Sequence, residues 1–151
     1  MSEIFITIFI DLMEDIFTVV IIDDDRTVRH FASHFLKKKL NVNVLEAADG
    51  VEGLRIIMSS RPDLVMVDYL MPDMDGAQVV AAIRNTEGIE NTPVIVLTSM
   101  DDSNTVIQLA SLKILDYMLK PLDMFHSAAR IRKIITDNQH LFKKKLPPVN
   151  T

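Results

Sequence analysis

The sequence predicts an α/β fold: one doubly wound, five-stranded parallel sheet between two layers of helices, a three-layer sandwich. Short apolar runs bounded by turn residues recur along the chain, and such runs are typical of strands buried on both faces. The segments between them carry apolar residues at helical spacing. This regular alternation of strand and helix indicates a parallel sheet with right-handed crossovers.

The composition limits the class of protein. A chain of 151 residues with 48% hydrophobic residues is long enough for one domain with a substantial core. The net charge of −5 argues against a nucleic-acid-binding surface, which is normally basic. The chain has no cysteine, so it forms neither disulfides nor thiolate metal sites, and this fits a reducing, cytoplasmic compartment. No apolar run reaches the roughly 18 residues of a membrane span.

The order of the elements follows from the apolar pattern. The predicted strands are 18–22, 42–47, 64–68, 93–98 and 114–119. The first helix is predicted over 26–39, the second from a cap at Asp49 to a stop at Pro62, and the third over 75–84. Asp49 and Glu52 resemble a capping box. Asp101 or Asp102 is predicted to cap the fourth helix, and the fifth helix is predicted over 123–142.

Two terminal segments flank the predicted domain of residues 18–142. Residues 1–17 are strongly apolar, but they lack the basic region and cleavage site of a signal peptide. Their apolar residues fit both helical and strand spacing, so periodicity leaves both structures open. The segment is expected either to pack on the domain or fray, or to form a homodimer contact, since exposed apolar surface favours a partner. Residues 143–151 are predicted to be a flexible tail.

Polar side chains follow four of the predicted strands. Asp23 and Asp24 follow the first strand, Asp68 ends the third, Thr98 ends the fourth, and Lys120 follows the fifth. The carboxyl ends of parallel strands meet at one edge of a doubly wound sheet, so these groups are expected to converge. Carboxylates in one pocket repel each other, and a divalent cation relieves that repulsion. Because the ligands are hard oxygens without nearby His or Cys, Mg²⁺ is the predicted ion.

The combination predicts phosphoryl-transfer chemistry. A carboxylate, Mg²⁺, a lysine and a hydroxyl together position a phosphoryl group and neutralise its charge. Carboxylates also form covalent aspartyl-phosphates. Each residue alone is more often structural, because an Asp pair after a strand is usually a helix cap or a surface feature. The four strand-end features in this order are much more specific.

These residues and their neighbours resemble the receiver domain of two-component response regulators. The resemblance covers about residues 18–140 and implies a flavodoxin-like, CheY-like (βα)5 fold. It depends on four motifs: Val-Val-Ile-Ile-Asp-Asp-Asp at 19–25, Asp68 with Met-Pro-Asp-Met-Asp-Gly at 71–76, Pro-Val-Ile-Val-Leu-Thr-Ser at 93–99, and Asp-Tyr-Met-Leu-Lys-Pro at 116–121.

The resemblance implies a role for each matching residue. Asp68 would be the phosphoacceptor, which receives a phosphoryl group from a histidine kinase or a phosphotransfer protein. Asp23 and Asp24 match the acidic pair that holds Mg²⁺ together with Asp68, and Asp24 is the preferred direct ligand of the pair. Leu70 matches the position whose backbone carbonyl binds the metal. Lys120 matches the lysine that pairs with the phosphoryl group.

The resemblance also implies a conformational switch. Thr98 matches the hydroxyl that turns inward to the phosphoryl oxygen, and Tyr117 matches the aromatic residue whose ring then changes rotamer. The bond between Lys120 and Pro121 is expected to be cis. Phosphorylation would change the face formed by the domain's fourth helix, fifth strand and fifth helix, which would contact a downstream protein or an output domain. The expected chemistry is self-catalysed phosphoryl transfer and autodephosphorylation, rather than that of an enzyme acting on other substrates.

Several residues depart from the family pattern. Residues 111–115 lack the usual Gly-Ala, and Lys113 stands in place of the glycine, so a left-handed turn is less favourable there. Ser99 stands where alanine is common. Asp25 is a third acid, and its predicted role is to cap the following helix. The sequence is compatible with a stand-alone receiver and with a fragment of a longer regulator.

Two other functions are considered. Asp23 and Asp25, followed by Thr27, fit the first motif of haloacid-dehalogenase-like phosphatases, with Asp23 as nucleophile and Asp25 as acid/base. That interpretation leaves Asp68 and its loop unexplained. The other is a receiver-like module that is never phosphorylated and acts by docking or dimerisation. Unused clustered carboxylates would cost stability, which argues against it.

Overall fold

A single parallel sheet organises the protein. The computed structural model describes residues 2–99 and 103–149. Within these residues the sheet has the strand order β2-β1-β3-β4-β5, and every neighbouring pair is parallel. The strands are β1 (Thr18–Ile22), β2 (Asn43–Ala47), β3 (Leu64–Asp68), β4 (Val94–Thr98) and β5 (Asp116–Leu119). The predicted doubly wound fold is confirmed.

Helices cover both faces of this sheet. They are α1 (Glu3–Glu14), α2 (Arg26–Leu40), α3 (Gly50–Ser60), α4 (Gly76–Arg84), α5 (Ser103–Ser111) and α6 (Met124–Asp137), followed by a 3₁₀ turn (Gln139–Leu141). Among the described helices, none is both long enough and apolar enough to cross a membrane.

Alternate residues of the central strands enter two separate cores. In β1, Val19 and Ile21 face a core shared with α2 and α6, whereas Val20 and Ile22 face a core shared with α3 and α4. β3 and β4 alternate in the same way, and their apolar residues are fully buried. Burial on both faces explains why these strands are nearly continuous apolar runs.

Aspartates begin four of the helices. The Asp25 carboxylate accepts hydrogen bonds from the N–H groups of Thr27 and Val28, which confirms its predicted capping role. Asp75 forms a complete capping box, and Asp123 caps α6. Asp49 caps α3 as predicted. The predicted capping box there is wrong in its second half, because the Glu52 carboxylate accepts from the N–H of Ala48 rather than of Asp49. The predicted caps at Asp101 and Asp102 lie outside the described residues.

The last helix is shorter than predicted. α6 ends at Asp137, where the Asn138 side chain donates to the carbonyl of Ile134 at 2.8 Å. The chain then turns, and Phe142 is buried against Phe17 with ring centroids 5.8 Å apart. A continuous helix to residue 142 was therefore the wrong prediction, because the burial of Phe142 requires the chain to turn back.

Arg84 holds the turn between α5 and β5. Its guanidinium donates to the carbonyls of Leu112, Lys113, Glu90 and Thr92. Lys113 adopts the left-handed conformation (φ 56°) although it is not glycine. The hydrogen bond from Arg84 to the Lys113 carbonyl, at 3.0 Å, offsets part of the cost of that conformation. The turn delays β5, which begins at residue 116 rather than at the predicted 114.

Candidate functional site

The acidic residues of the sequence motifs meet at the carboxyl edge of the sheet. The chain reverses its direction of winding at β1, whose neighbours are β2 and β3, and such a switch point leaves a crevice at this edge. Asp23 directly follows β1, and Asp68 is the last residue of β3. One carboxylate oxygen from each of Asp23, Asp24 and Asp68 lies within 4.8 Å of the others. Asp23 and Asp68 are buried, whereas Asp24 is exposed.

Lys120 directly follows the edge strand β5, and its side chain reaches back to these carboxylates. Its Nζ lies 2.7 Å from Oδ2 of Asp23 and 3.0 Å from Oδ1 of Asp68. Its backbone N–H donates to the carbonyl of Thr98 at 2.8 Å, which fixes Lys120 beside the end of β4. The peptide bond from Lys120 to Pro121 is cis, as the resemblance implied. The structure thus brings Asp23, Asp68 and Lys120 into direct contact.

The environment disfavours the charged form of Asp68. Burial is the largest cause, and together with the negative charges of Asp23 and Asp24 it raises the pKa of Asp68 to about 6, although Lys120 opposes the shift. Burial lowers the pKa of Lys120, but its hydrogen bonds to Asp23 and Asp68 outweigh that effect and leave the pKa raised. Above pH 6 Asp68 is therefore mainly ionised, and it shares the site with two further acids and Lys120.

Arg29 supports the acidic loop. Its guanidinium donates to the carbonyl of Asp23 at 2.7 Å and forms an ion pair with Glu46 at 3.3 Å. The Asp23 carboxylate also accepts from the N–H of Asp25 at 2.9 Å. These contacts hold the loop against α2 and β2. Sequence reasoning missed Arg29, because an arginine in the first turns of a helix has no distinguishing local signal.

The loop after β3 is held close to Asp68. The N–H of Gly76 donates to the carbonyl of Tyr69 at 2.8 Å, and the N–H of Tyr69 donates to the carbonyl of Leu97 at 2.7 Å. A Cβ atom on Gly76 would lie only 2.4 Å from the backbone oxygen of Asp68. Glycine is therefore required where the loop returns to the strand. Leu70, which follows Tyr69 in this loop, is 56% exposed.

The predicted switch residues lie beside this cluster. Thr98 is buried at the end of β4, at the same edge as Asp68. Tyr117 is half-buried on β5, pairs with Val96 in the sheet, and packs against the core on the α3 and α4 side. The neighbour of Asp68, Tyr69, donates its hydroxyl to Gln108 of α5 at 2.6 Å. Sequence reasoning missed this link, since the two residues are 39 positions apart.

The three carboxylates suit a divalent cation. They supply hard oxygen ligands, and the exposed Asp24 leaves one side open to water and to a phosphate group, an arrangement that suits Mg²⁺. The raised pKa of Asp68 reflects the same burial and negative charge that a bound cation would compensate. Asp23, Asp24 and Asp68 therefore fit the predicted metal.

Comparisons with known proteins agree with this geometry. The family model of the response regulator receiver domain matches residues 19–132. Protein PilG of Pseudomonas aeruginosa is 41% identical over 83 residues, which cover 55% of this chain and 61% of PilG. Response regulator MprA of Mycobacterium sp. is 34% identical over 120 residues, which cover 78% of this chain and 50% of MprA. The chain thus spans about half the length of the latter relative.

A solved structure shows the same fold. Chemotaxis protein CheY4 of Vibrio cholerae aligns with a TM-score of 0.74 at 25% sequence identity, covering 79% of this chain and 98% of CheY4. The family-model match includes both acidic motifs and Lys120. Receiver domains are phosphorylation-dependent signalling modules rather than classical enzymes. By its sheet topology, its sequence relatives and its structural neighbours, this chain belongs to the receiver domain family of response regulators.

Proposed function

We propose that Asp68 accepts a phosphoryl group from a histidine kinase or a phosphotransfer protein, with Mg²⁺ bound beside it, and that the modified domain signals to a protein partner. The observation that carries this proposal is the contact of one buried carboxylate, Asp68, with Lys120 next to two further acids. The family relationship and the half-length coverage of MprA support a downstream target or an output domain as the partner.

The proposed transfer is a substitution at phosphorus. An oxygen of the ionised Asp68 carboxylate forms a bond to the phosphorus of a phosphohistidine, and the P–N bond breaks with its electron pair passing to the imidazole nitrogen. The product is an acyl phosphate on Asp68. Because the pKa of Asp68 is about 6, the carboxylate is mainly ionised at neutral pH and needs no separate base. Hydrolysis of the acyl phosphate would return the protein to its starting state.

Each neighbour of Asp68 has a task in this step. Lys120 would keep its contact with the Asp68 side chain and place its positive charge on the arriving phosphoryl group. Asp23, Asp24, Asp68 and the backbone carbonyl of Leu70 would hold Mg²⁺. When bound, Mg²⁺ neutralises charge on the phosphoryl oxygens. Arg29 positions the loop of Asp23 through its 2.7 Å hydrogen bond.

The signal would pass through Thr98 and Tyr117. Thr98 lies at the same sheet edge as Asp68, and Tyr117 lies on the neighbouring strand. Movement of the Thr98 hydroxyl toward the phosphoryl group would open space for the Tyr117 ring and change the face of α5, β5 and α6. If phosphorylation leaves the NMR signals around Tyr117 unchanged, this part of the proposal is wrong.

The proposed kinase partner and the absence of cysteine support a cytoplasmic location.

Phosphorylation by acetyl phosphate tests the proposal directly. Intact mass is measured after incubation with Mg²⁺ and acetyl phosphate, and with excess EDTA in parallel. We expect the wild type to gain one phosphoryl group only with Mg²⁺, and Asp68→Asn to gain none. Asp73→Asn is the matched control, because Asp73 is an exposed acid of the same loop, and this variant should be labelled normally. Labelling of Asp68→Asn would refute the assignment.

The same assay separates the two other functions. Failure of the wild type to be labelled, with no binding of beryllofluoride, would favour a docking module that is never phosphorylated. A haloacid-dehalogenase-like phosphatase would turn over a phosphate ester, and Asp23→Asn but not Asp68→Asn would abolish that turnover. In the structure both carboxylate oxygens of Asp23 accept hydrogen bonds, Oδ1 from the N–H of Asp25 at 2.9 Å and Oδ2 from Lys120 at 2.7 Å, which makes Asp23 a poor nucleophile for an external substrate.

Mg²⁺ should stabilise the folded protein through the same carboxylates. A ligand that binds only the folded state at about 100 times its Kd adds about 2.7 kcal/mol to the free energy of unfolding. We therefore expect Mg²⁺ to raise the wild-type Tm and Asp24→Asn to reduce this response strongly. Asp25→Asn is the control, since Asn is an equally good helix cap and this residue is outside the cluster. An equal response in the two variants would contradict the predicted ligand set.

A further inference from the structure

The N-terminal helix α1 exposes an unusually large apolar surface. It begins at Ser2, whose hydroxyl accepts from the N–H of Phe5, and it has 12 residues. Large apolar side chains in and just after it are exposed by between 40% (Ile16) and 73% (Ile4). They are Ile4, Phe5, Ile6, Ile8, Phe9, Ile10, Leu12, Met13 and Ile16. Monomers rarely expose a contiguous apolar patch larger than a few hundred Å².

The apolar surface has a defined shape. Glu3, Thr7 and Asp11 are spaced four residues apart and form one polar stripe along the helix. At about 100° per residue, the apolar side chains fill the remaining sector of about 240°. One side of this sector, formed by Phe9, Ile10 and Met13, faces a groove of about 350 Å³ beside the domain. The other part of the sector faces away from that groove.

A helix of this composition needs a cover, that is, another molecule packed over its apolar side chains. Isolated helices of about 12 residues are marginal in water, and Ile, Phe and Thr are poor helix formers. The domain gives little help, because the three α1 side chains that line the groove, Phe9, Ile10 and Met13, are still 57%, 49% and 55% exposed. The domain therefore leaves most of the apolar surface of α1 uncovered.

Charge argues against lipid as the cover. The chain has no Lys or Arg before Arg26, whereas Glu3 and Asp11 lie in the polar stripe. Helices that lie on membranes usually carry basic residues on the polar face, which are attracted to anionic lipid headgroups. The acidic stripe of α1 would be repelled by such a surface. A protein cover that leaves this stripe in water fits better.

We propose that the cover is a second copy of this chain, with the two α1 helices packed antiparallel about Ile8. In this register Ile4 of one copy lies against Leu12 of the other, and Phe5 and Ile8 complete the contact. A two-fold axis beside Ile8 relates the two copies, so both contribute the same residues to the interface. A stable interface buries roughly 800 Å² per partner, so the contact would extend from the α1 helices onto the adjoining domain surface.

The charges at the helix ends favour the antiparallel arrangement. The last turn of α1 carries no basic residue, and Asp15 caps it, so negative side chains lie at the negative end of the helix dipole. An antiparallel partner would place its positive N-terminus there. A parallel partner would instead bring like charges together.

Sedimentation of the full chain across a range of concentrations tests the dimer. We expect wild type to dimerise and Ile8→Lys to associate about a hundredfold more weakly, since two lysines would meet on the axis. Val51→Lys is the matched control, because Val51 is 70% exposed on α3, far along the chain from α1. Urea unfolding of each variant checks that the domain still folds. A wild type that is monomeric at every concentration, or equal dimerisation of both variants, would overturn the proposal.

Cysteine cross-linking tests the orientation of the two helices. Because the chain has no native cysteine, only the introduced cysteines can form disulfides. The antiparallel pair keeps two Ile4 positions about 12 Å apart along the axis, at 1.5 Å per residue. A mixture of Ile4→Cys and Leu12→Cys should therefore give mainly the mixed disulfide. Mainly Ile4 to Ile4 cross-links would overturn the antiparallel arrangement.

Co-flotation with phosphatidylcholine vesicles tests lipid binding by α1. Co-flotation of the wild type that is lost in Ile8→Lys would identify lipid as the cover and overturn the dimer.

Discussion

Asp68→Asn should stabilise the metal-free protein, and the gain should grow with pH. Burial raises the pKa of Asp68 from 3.8 to about 6, so between these values the folded state binds more protons than the unfolded state. The stability of the wild type therefore falls as pH rises through this window, and the loss is complete above it. The amide has no proton to lose, but it keeps an acceptor for Lys120.

The expected difference follows from the size of the shift. At about 1.4 kcal/mol per pKa unit, Asp68→Asn should gain about 1 kcal/mol from this effect at about pH 4.5 and about 3 kcal/mol at about pH 8. Urea unfolding in EDTA at several pH values measures it. Asp73→Asn is the control, because Asp73 is exposed and its left-handed conformation (φ 67°) suits Asn. A gain that does not change with pH would show that burial does not disfavour the charged carboxylate.

This stability cost is informative about the site. A carboxyl group whose pKa is raised by burial and negative neighbours lowers the stability of the folded protein once it is ionised. A protein in which this group had no function would gain nothing in return. Addition of Mg²⁺ should shrink the advantage of Asp68→Asn, since a cation stabilises the ionised carboxylate. The instability of the metal-free site and its proposed ability to bind Mg²⁺ thus have one electrostatic cause.

The strands could be predicted more accurately than the later helices. β1 and β3 are buried on both faces, so the apolar run in each sequence predicts both ends of the strand. The ends of β5 and α6 depend on contacts between distant residues, namely Arg84 with Lys113 and Phe142 with Phe17. For α1, isoleucines at every second position are compatible with a strand. The cap at Ser2 and the contact of Thr7 with the carbonyl of Glu3 appear only in the structure.

The members of the site could be predicted, but their contacts could not. Parallel strands bring their carboxyl ends to one edge, so Asp23, Asp68 and Lys120 were expected near each other. That Lys120 contacts both carboxylates depends on side-chain geometry between residues far apart in the sequence, 97 positions in the case of Asp23. Arg29 supports the loop of Asp23 through a backbone carbonyl, and such a contact leaves no pattern in the sequence.

Gly76→Ala should destabilise the protein by about 3 kcal/mol or more, although alanine normally favours a helix. The added Cβ would lie 2.4 Å from the backbone oxygen of Asp68 and 2.9 Å from Cα of Tyr69. Backbone atoms cannot rotate away as a side chain can. The hydrogen bonds of Tyr69 to Leu97 and Gly76 also fix this segment. The end of β3 or the start of α4 must therefore shift.

Gly50→Ala is a closely matched control. Gly50 is also the first residue of a helix and also follows an aspartate cap, but its added Cβ would meet the side chains of Met74 and Val79. The Met74 side chain is flexible but the buried Val79 side chain is stiff, so we expect a loss of about 2 kcal/mol, smaller than that of Gly76→Ala. Urea unfolding measures both losses. The shift at Asp68 should also slow labelling by acetyl phosphate about tenfold or more in Gly76→Ala alone, because transfer depends on the position of the nucleophile. Equal losses of stability, with equal labelling, would show that the approach of Gly76 to the Asp68 backbone does not position the phosphoacceptor.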